Sequence, residues 1–373
     1  MKENWLVMNV LGASVLAVGI AAPAHATPML GGDHSISPYI LAGAPPDTAA
    51  ARVDPNVPTS RFSGVVSINI RYDGMSFICS GTLVGARQVV TAGHCVDTDG
   101  NGTLIDITQP GNDVRVVFNT APGAPVVTAS AVSMHPDYAG FGNCPQGVSA
   151  FCVNDDVAVI TLPTDAPADA NIYRLLSNEL GVGQVLTLAG YGTSGDGING
   201  FAISPNFRIK RSGGNVLDIY EGNDETFTGF DPNGFITGTG RPEVWYADFD
   251  GFNSAGQPMD SACNFFGVCT AWLANDIETN IGGGDSGGPT FLEWQNELFL
   301  VGNNTFGWSG FGEERRGAFG SMFGGIALGS YASYLIEATG GAIRVVHVPE
   351  PGTLALLGLG LAGLGLSRRR KAA

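Results

Sequence analysis

From Val65 to Leu188 the apolar residues arrive in short bursts, and this fragmentation restricts the chain to a β architecture. Val65-Val66-Ser67-Ile68-Asn69-Ile70 alternates apolar and polar positions. Phe77-Ile78, Thr82-Leu83-Val84, Val89-Val90, Val114-Arg115-Val116-Val117-Phe118, Val157-Ala158-Val159-Ile160 and Val185-Leu186-Thr187-Leu188 follow. The runs favour β-branched residues, and Gly, Asp, Asn and Pro separate them. Strands this short and this closely spaced build an all-β sandwich or barrel. Glycine, 55 of 373 residues, is at about twice its usual share and fits a turn-rich chain. One helix is expected near the end, over Gly329–Ala338, and no long internal repeat is evident.

The ends are expected to be addresses. Residues 1–26 have the form of a secretory signal peptide: Lys2, an apolar stretch from Leu11 to Ala22, then Ala24-His25-Ala26 as a small-x-small cleavage site. The apolar stretch is shorter than the roughly 20 residues a membrane span needs. At the other end Val348-Pro349-Glu350-Pro351-Gly352 precedes a Leu/Gly-rich run and Arg368-Arg369-Arg370-Lys371. This ending, residues 348–373, resembles the Pro-Glu-Pro C-terminal sorting signal of Gram-negative bacteria that make exopolysaccharide. The resemblance implies an exosortase-type sorting enzyme as a partner, transient membrane contact through the tail, and a destination in the periplasm, cell surface or extracellular matrix. The basic cluster would hold its end on the cytoplasmic side. A simple C-terminal anchor helix is the competing reading. Residues 27–61, rich in Pro, Ala and Gly, are expected to be a leader or propeptide. The body then divides at the Pro/Ala/Asp-rich stretch Pro163–Ala170 into halves over 62–170 and 171–347.

The formal charge of −16 excludes nucleic acid as a natural partner, because phosphate binding needs basic patches. Without the two end segments 13 basic and 32 acidic residues remain, and Lys210 is the one lysine left. Six cysteines, Cys79, Cys95, Cys144, Cys152, Cys263 and Cys269, are an even set that suits disulfides in an exported chain. Their order suggests three neighbour pairs, although six cysteines allow 15 pairings. No Cys-x-x-Cys spacing supports a zinc site.

Three segments carry chemistry. They are Thr91-Ala92-Gly93-His94-Cys95, Asn154-Asp155-Asp156-Val157-Ala158-Val159-Ile160, and Gly282-Gly283-Gly284-Asp285-Ser286-Gly287-Gly288-Pro289. Singly, each has an ordinary structural explanation. Together, in the order His, Asp, Ser, they resemble the chymotrypsin/trypsin family of serine endopeptidases over Val65–Leu335. The resemblance implies two six-stranded antiparallel β-barrels with a C-terminal helix, and a polypeptide substrate cleaved in the cleft between the barrels. It assigns Ser286 as nucleophile, His94 as general base and acid, and Asp156 as the carboxylate that orients the imidazole, with Asp155 as the rival. The residue types suit the chemistry: a serine hydroxyl needs a base within reach, and histidine titrates near neutral pH. The amides of Gly284 and Ser286 match the family's oxyanion donors, and catalysis needs no cofactor.

Further marks follow from the same resemblance. Cys79-Ser80-Gly81-Thr82-Leu83-Val84 implies a Cys79–Cys95 bridge, and Gly190-Tyr191-Gly192 matches the opening of the second barrel. Thr305-Phe306-Gly307 stands where the family pairs with the substrate backbone. Asn280, six before the nucleophile, stands at the floor of the specificity pocket, where an aspartate would select Arg or Lys. Gly282 replaces a family cysteine, and Cys263–Cys269 would close a tighter loop than its family counterpart. Ile40-Leu41-Ala42-Gly43 is the nearest match to the segment whose freed amine pairs with the aspartate before the serine, here Asp285.

Asp97-Thr98-Asp99-Gly100-Asn101-Gly102-Thr103 begins like a calcium-binding loop. Asp97, Asp99, Asn101 and the Thr103 carbonyl would be ligands. Thr108 replaces the closing glutamate, and Asp106 would have to compensate. Asp248-Phe249-Asp250-Gly251-Phe252-Asn253 is a weaker echo of the same spacing. Against the protease reading stands a catalytically silent protease fold acting as a binding module of the surface or matrix. An α/β-hydrolase esterase is disfavoured, because its order is Ser, Asp, His.

Overall fold

The computed structural model describes the backbone of residues 33–35 and residues 40–149 and 151–347. The expected signal peptide, the start of the leader and the expected sorting signal over 348–373 lie outside the described residues.

The first barrel is built from β1 (Val65–Tyr72), β2 (Met75–Leu83), β3 (Gln88–Thr91), β4 (Asp113–Val117), β5 (Val126–Thr128), β6 (Ala131–Met134) and β7 (Ala158–Thr161). They hydrogen-bond in the order β5-β4-β1-β2-β3-β7-β6, all antiparallel. The two ends of that order, β5 and β6, are separated in sequence only by Ala129 and Ser130. The Ala129 amide bonds the Val114 carbonyl of β4 and the Ser130 amide bonds the Thr161 carbonyl of β7. Residues 126–134 are therefore one bent strand, and the sheet closes on itself as a six-stranded barrel.

The second barrel repeats the device. Its strands are β8 (Val185–Gly190), β9 (Arg211–Val216), β10 (Ile219–Glu221), β11 (Val244–Asp248), β12 (Pro289–Trp294), β13 (Glu297–Ser309) and β14 (Met322–Ala327). The order is β9-β8-β12-β13-β14-β11-β10. Only Leu217 and Asp218 separate β9 from β10, and the Asp218 amide bonds the Tyr246 carbonyl of β11. Again two ends of a sheet are one bent strand, so the expected pair of six-stranded barrels is present.

Alternation along the strands sorts side chains between two surroundings. Val66, Ile68, Leu83, Val89, Val114, Val116 and Ile160 fill the first barrel, while their neighbours Val65, Val90, Val157 and Val159 face the other way. The latter meet Tyr191, Phe291, Phe306 and Trp308 in the core between the barrels. The C-terminal helix α2 (Ala332–Ala338) is shorter than the sequence predicts and sinks Leu335 into that same core. A helix the sequence reading lacked, α1 (Ser261–Phe266), is capped by Asp260, which accepts from the Cys263 amide at 2.9 Å, and ends at Gly267 with φ 71°. Residues 40–61, assigned to a leader, pack against the second barrel: Arg52 and Asp47 form a buried ion pair, and Ile40 joins that barrel's core.

Candidate active site

β3 delivers His94. The strand ends at Thr91 and the chain makes one 3-10 turn over Gly93–Cys95. Cys95 is bridged to Cys79 on β2, which anchors the turn, and Cys144–Cys152 and Cys263–Cys269 complete the disulfides. Asp156 arrives from the adjacent strand, two residues before β7, whose Ala158 is registered opposite Thr91. The Asp156 carboxylate is fully buried and takes two bonds from His94: backbone N to Oδ1 at 2.6 Å and ring Nδ1 to Oδ2 at 2.8 Å. Gly93 permits this approach, since a Cβ there would lie 3.1 Å from Asp156 Oδ1. Asp155 points elsewhere: its carboxylate lies 3.2 Å from His135 Nδ1. Asn303 on β13, which no sequence motif marks, donates Nδ2 to the Asp156 carbonyl at 3.0 Å and ties Asp156 to the second barrel.

Ser286 lies in the glycine-rich loop before β12, and its carbonyl accepts the Ser80 amide of β2 at 2.8 Å. The peptide planes that carry the Gly284 and Ser286 amides are pinned by their carbonyls. Gly283 O accepts the Thr193 amide at 3.0 Å, and Asp285 O accepts the Gly288 amide at 2.7 Å. A trans peptide points its N–H opposite its C=O. The amides of Gly284 and Ser286 are therefore turned away from these anchors, and among the described residues neither donates a hydrogen bond. Gly284 holds φ +106°, a value open to glycine. Ser80, next to Cys79 on β2, donates Oγ to the Gly284 carbonyl at 2.7 Å and accepts the Tyr191 amide at 3.0 Å.

His94, Ser286 and Gly284 line one cleft of about 690 Å³, with Ile78, Phe77 and Phe141 as apolar wall and Asp97 and Asp99 among its polar lining. The Phe141 ring centres 5.0 Å from the His94 ring. The residues expected at the specificity pocket do not line this cleft. Asn280 is buried, with Nδ2 on Ser321 Oγ at 2.8 Å and Oδ1 on its neighbour's amide. Thr305 and Phe306 are buried on β13, and Thr305 Oγ1 bonds Asn303 Oδ1 at 3.3 Å. Gly307 is paired from outside by residues 33–35, which run antiparallel to Gly307–Ser309.

Asp285 is wholly buried. It accepts the Gly192 amide at 2.8 Å, the Gly282 amide at 3.2 Å and the amide of Ile40. Burial pushes its carboxyl up to about 7, with Arg211 acting in the opposite sense. The Ile40 segment is held there by Ser194 Oγ on the Ile40 carbonyl at 2.8 Å and by the Leu41 amide on Asn280 O at 3.0 Å.

In the loop expected to bind calcium, Asn101 Oδ1 accepts Asn143 Nδ2 at 3.4 Å and the other expected ligands meet the loop's own donors. Asp97 accepts the amides of Asp99, Gly100, Gly102 and Thr103, Asp99 accepts the Asn101 amide and the Thr103 hydroxyl, and the Thr103 carbonyl takes the Thr98 amide. Asp106 is occupied by Thr108 and Gln109. In the second echo, Asp248 and Asp250 meet Asp260 rather than Asn253, with carboxylate oxygens within 4.8 Å of one another. Asn253 closes its own turn onto the Ala255 and Gln257 amides.

Residues 54–204 match the family model described as Trypsin, and residues 347–371 match the PEP-CTERM protein-sorting motif. Brachyurin of Leptuca pugilator is 27% identical over 128 residues, which are 34% of this chain and 50% of that protein. The chain thus spans about half the length of the curated relative it matches. Among solved structures, HL collagenase superposes with a TM-score of 0.43 at 20% identity, over 75% of this chain and 94% of that one. A thermostable serine protease, AL20, from an extremophilic microorganism gives 0.44 at 18%, over 74% and 98%.

Proposed function

We propose that this chain, which has a trypsin-like serine protease fold and a C-terminal export-sorting motif, hydrolyses peptide bonds through an acyl-enzyme on Ser286. The observation that carries the reading is the doubly bonded His94–Asp156 pair facing the cleft that also holds Ser286 and two amides with no acceptor among the described residues. Asp156 holds the proton on Nδ1, which leaves Nε2 to take the hydroxyl proton as Ser286 attacks the carbonyl carbon. The amides of Gly284 and Ser286 then receive the oxyanion. His94 returns the proton to the leaving amine, and water repeats the sequence on the ester. The sorting motif supports export to the cell surface, with an exosortase acting on the tail. The apolar cleft wall, with Asp97 and Asp99 close by, favours substrates with apolar and basic side chains.

One observation favours the second reading, a silent binding module: residues 33–35 cover the β13 edge beside Thr305-Phe306-Gly307, the segment that the resemblance assigns to the substrate backbone. Labelling with a fluorophosphonate separates the two. The protease reading expects labelling of the chain, intact or trimmed to begin at Ile40, and none of Ser286→Ala. Absence of labelling in both folded forms overturns it in favour of the binding module.

A further inference from the structure

Immediately before Asp156 the two barrels bring oxygen-bearing side chains from three separate segments around one small cavity. Asn154 and Asp155 come from the loop leading into β7. Asp224 and Glu225 come from the turn after β10, and Glu243 directly precedes β11. Carboxylate oxygens of Asp155, Glu225 and Glu243 lie within 4.8 Å of one another. A cavity of about 260 Å³ opens on Asn154, Asp155, Asp224 and Glu225.

Among the described residues, two buried acceptors in this group have no donor. Asn154, 5% exposed, gives Nδ2 to Glu243 Oε2 at 2.9 Å and to the Gly222 carbonyl at 3.0 Å, and its Oδ1 is unpartnered. Asp224, 3% exposed, has an unpartnered Oδ1 beside Glu225 and Glu243. Buried oxygens are ordinarily satisfied, so an orphan pair beside three carboxylates calls for an electrophilic partner. No cationic side chain among the described residues other than His135 lies against them. Among the described residues no lysine or arginine forms an ion pair with these carboxylates; the basic group present is His135, with Nδ1 3.2 Å from Asp155 Oδ1. The remaining groups facing the site add no positive charge: Asp137 and Asn143 line the cavity, Asn223 donates to Glu243, and the Tyr331 hydroxyl accepts the Asp155 amide at 3.0 Å.

We propose that Asn154, Asp155, Asp224, Glu225 and Glu243 bind a calcium ion that ties the loop carrying Asp156 to the second barrel. The donor set is carboxylate and carboxamide oxygen, the chemistry of a hard cation, and about six to eight such ligands complete a calcium shell. The cavity leaves room for water among them. Asp155 holds φ +61°, in the left-handed region, directly before the orienting aspartate. A cation gripping the side chains of residues 154 and 155 fixes that backbone and removes the repulsion that would otherwise push the barrels apart here. This site is distinct from the Asp97 loop, with which it shares no residue.

The test is terbium binding to the full chain, read by sensitised luminescence with calcium as competitor, together with melting temperature against calcium concentration. The parent is expected to give a saturable signal that calcium displaces, and a calcium-dependent rise in Tm. Asp224→Asn and, because its side chain is exposed and safe for folding, Glu225→Gln are each expected to weaken terbium binding at least tenfold and to shrink the Tm rise. Asp99→Asn is expected to leave both as in the parent. No terbium binding by the parent overturns the proposal. So does parental affinity in both Asp224→Asn and Glu225→Gln, or loss of all binding in Asp99→Asn. None of these readouts requires hydrolysis, so they stand apart from the protease assignment.

Discussion

Freeing the amine of Ile40 should change how the stability of this protein depends on pH. In the intact chain Asp285 is fully buried, meets the neutral amide of Ile40, and has its carboxyl raised from 3.8 to about 7. That shift is about 3 units, or on the order of 4 kcal/mol at about 1.4 kcal/mol per unit. A raised carboxyl pKa means that the folded state holds the proton longer than the unfolded one. Its contribution is whole below about pH 4 and is lost as pH climbs to about 7. A chain beginning at Ile40 places an ammonium where the amide was. At about 4 Å and an effective dielectric near 20 the attraction is again about 4 kcal/mol, enough to offset the burial penalty. Asp285 then ionises near its ordinary value. The pair persists until the ammonium, whose unfolded pKa is about 8, gives up its proton above that pH. The assay is calorimetric Tm against pH for the intact chain and for the trimmed chain. Other buried carboxylates are common to both and cancel in the difference. That difference should grow between pH 4 and 7 to on the order of 10 °C, level off, and fall above about pH 8. Two parallel curves from pH 4 to 8 would refute the pairing of Ile40 with Asp285.

Asp156→Asn should slow fluorophosphonate labelling by about 10⁴-fold while the protein stays folded, because the amide cannot hold the productive tautomer; single-turnover labelling kinetics read this directly. Ser80→Ala removes the bonds to the Gly284 carbonyl and the Tyr191 amide. It should slow the same labelling by about ten- to a hundredfold, less than outright loss of an oxyanion donor. Replacing Cys79 and Cys95 together by serine opens a bridge spanning 16 residues and should lower stability by about 3 kcal/mol in denaturant titration. Asp250, pushed up to about 11 by burial and then by Asp248 and Glu278, loses stability as pH rises above the ordinary carboxylate range. Asp250→Asn should therefore raise Tm at pH 8 in chelator and leave it unchanged at pH 4.

What the sequence made legible was whatever is local along the chain. His94 and Ser286 sit in contiguous motifs because a strand end and a glycine loop each present one group, and the loop's own peptide planes aim the amides. The β runs announced a sandwich or barrel and the family resemblance implied two barrels, but neither announced how they close, which depends on Ala129–Ser130 and Leu217–Asp218 each bending one strand across two edges. Helix α1 was too short for a periodic signal and rests on Asp260, which also meets Asp248 and Asp250. That meeting shows why the second acidic spacing misled: Asn253 is adjacent in sequence but turns onto its own loop, while Asp260 arrives from beyond a hairpin. The same limit hid the Asn154–Glu243 cluster, whose members come from both barrels. Asp155 was read only as a rival to Asp156. Their opposite orientations give the two adjacent carboxylates separate tasks, one holding the imidazole and the other facing a site shared with the second barrel. A loop that must do both is held from both sides, by Asn303 on the Asp156 carbonyl and by Tyr331 on the Asp155 amide. One anchor lies on a strand of the second barrel and the other at the start of the C-terminal helix that follows it, so the position of Asp156 is set by how the two halves dock as well as by the strand that carries it.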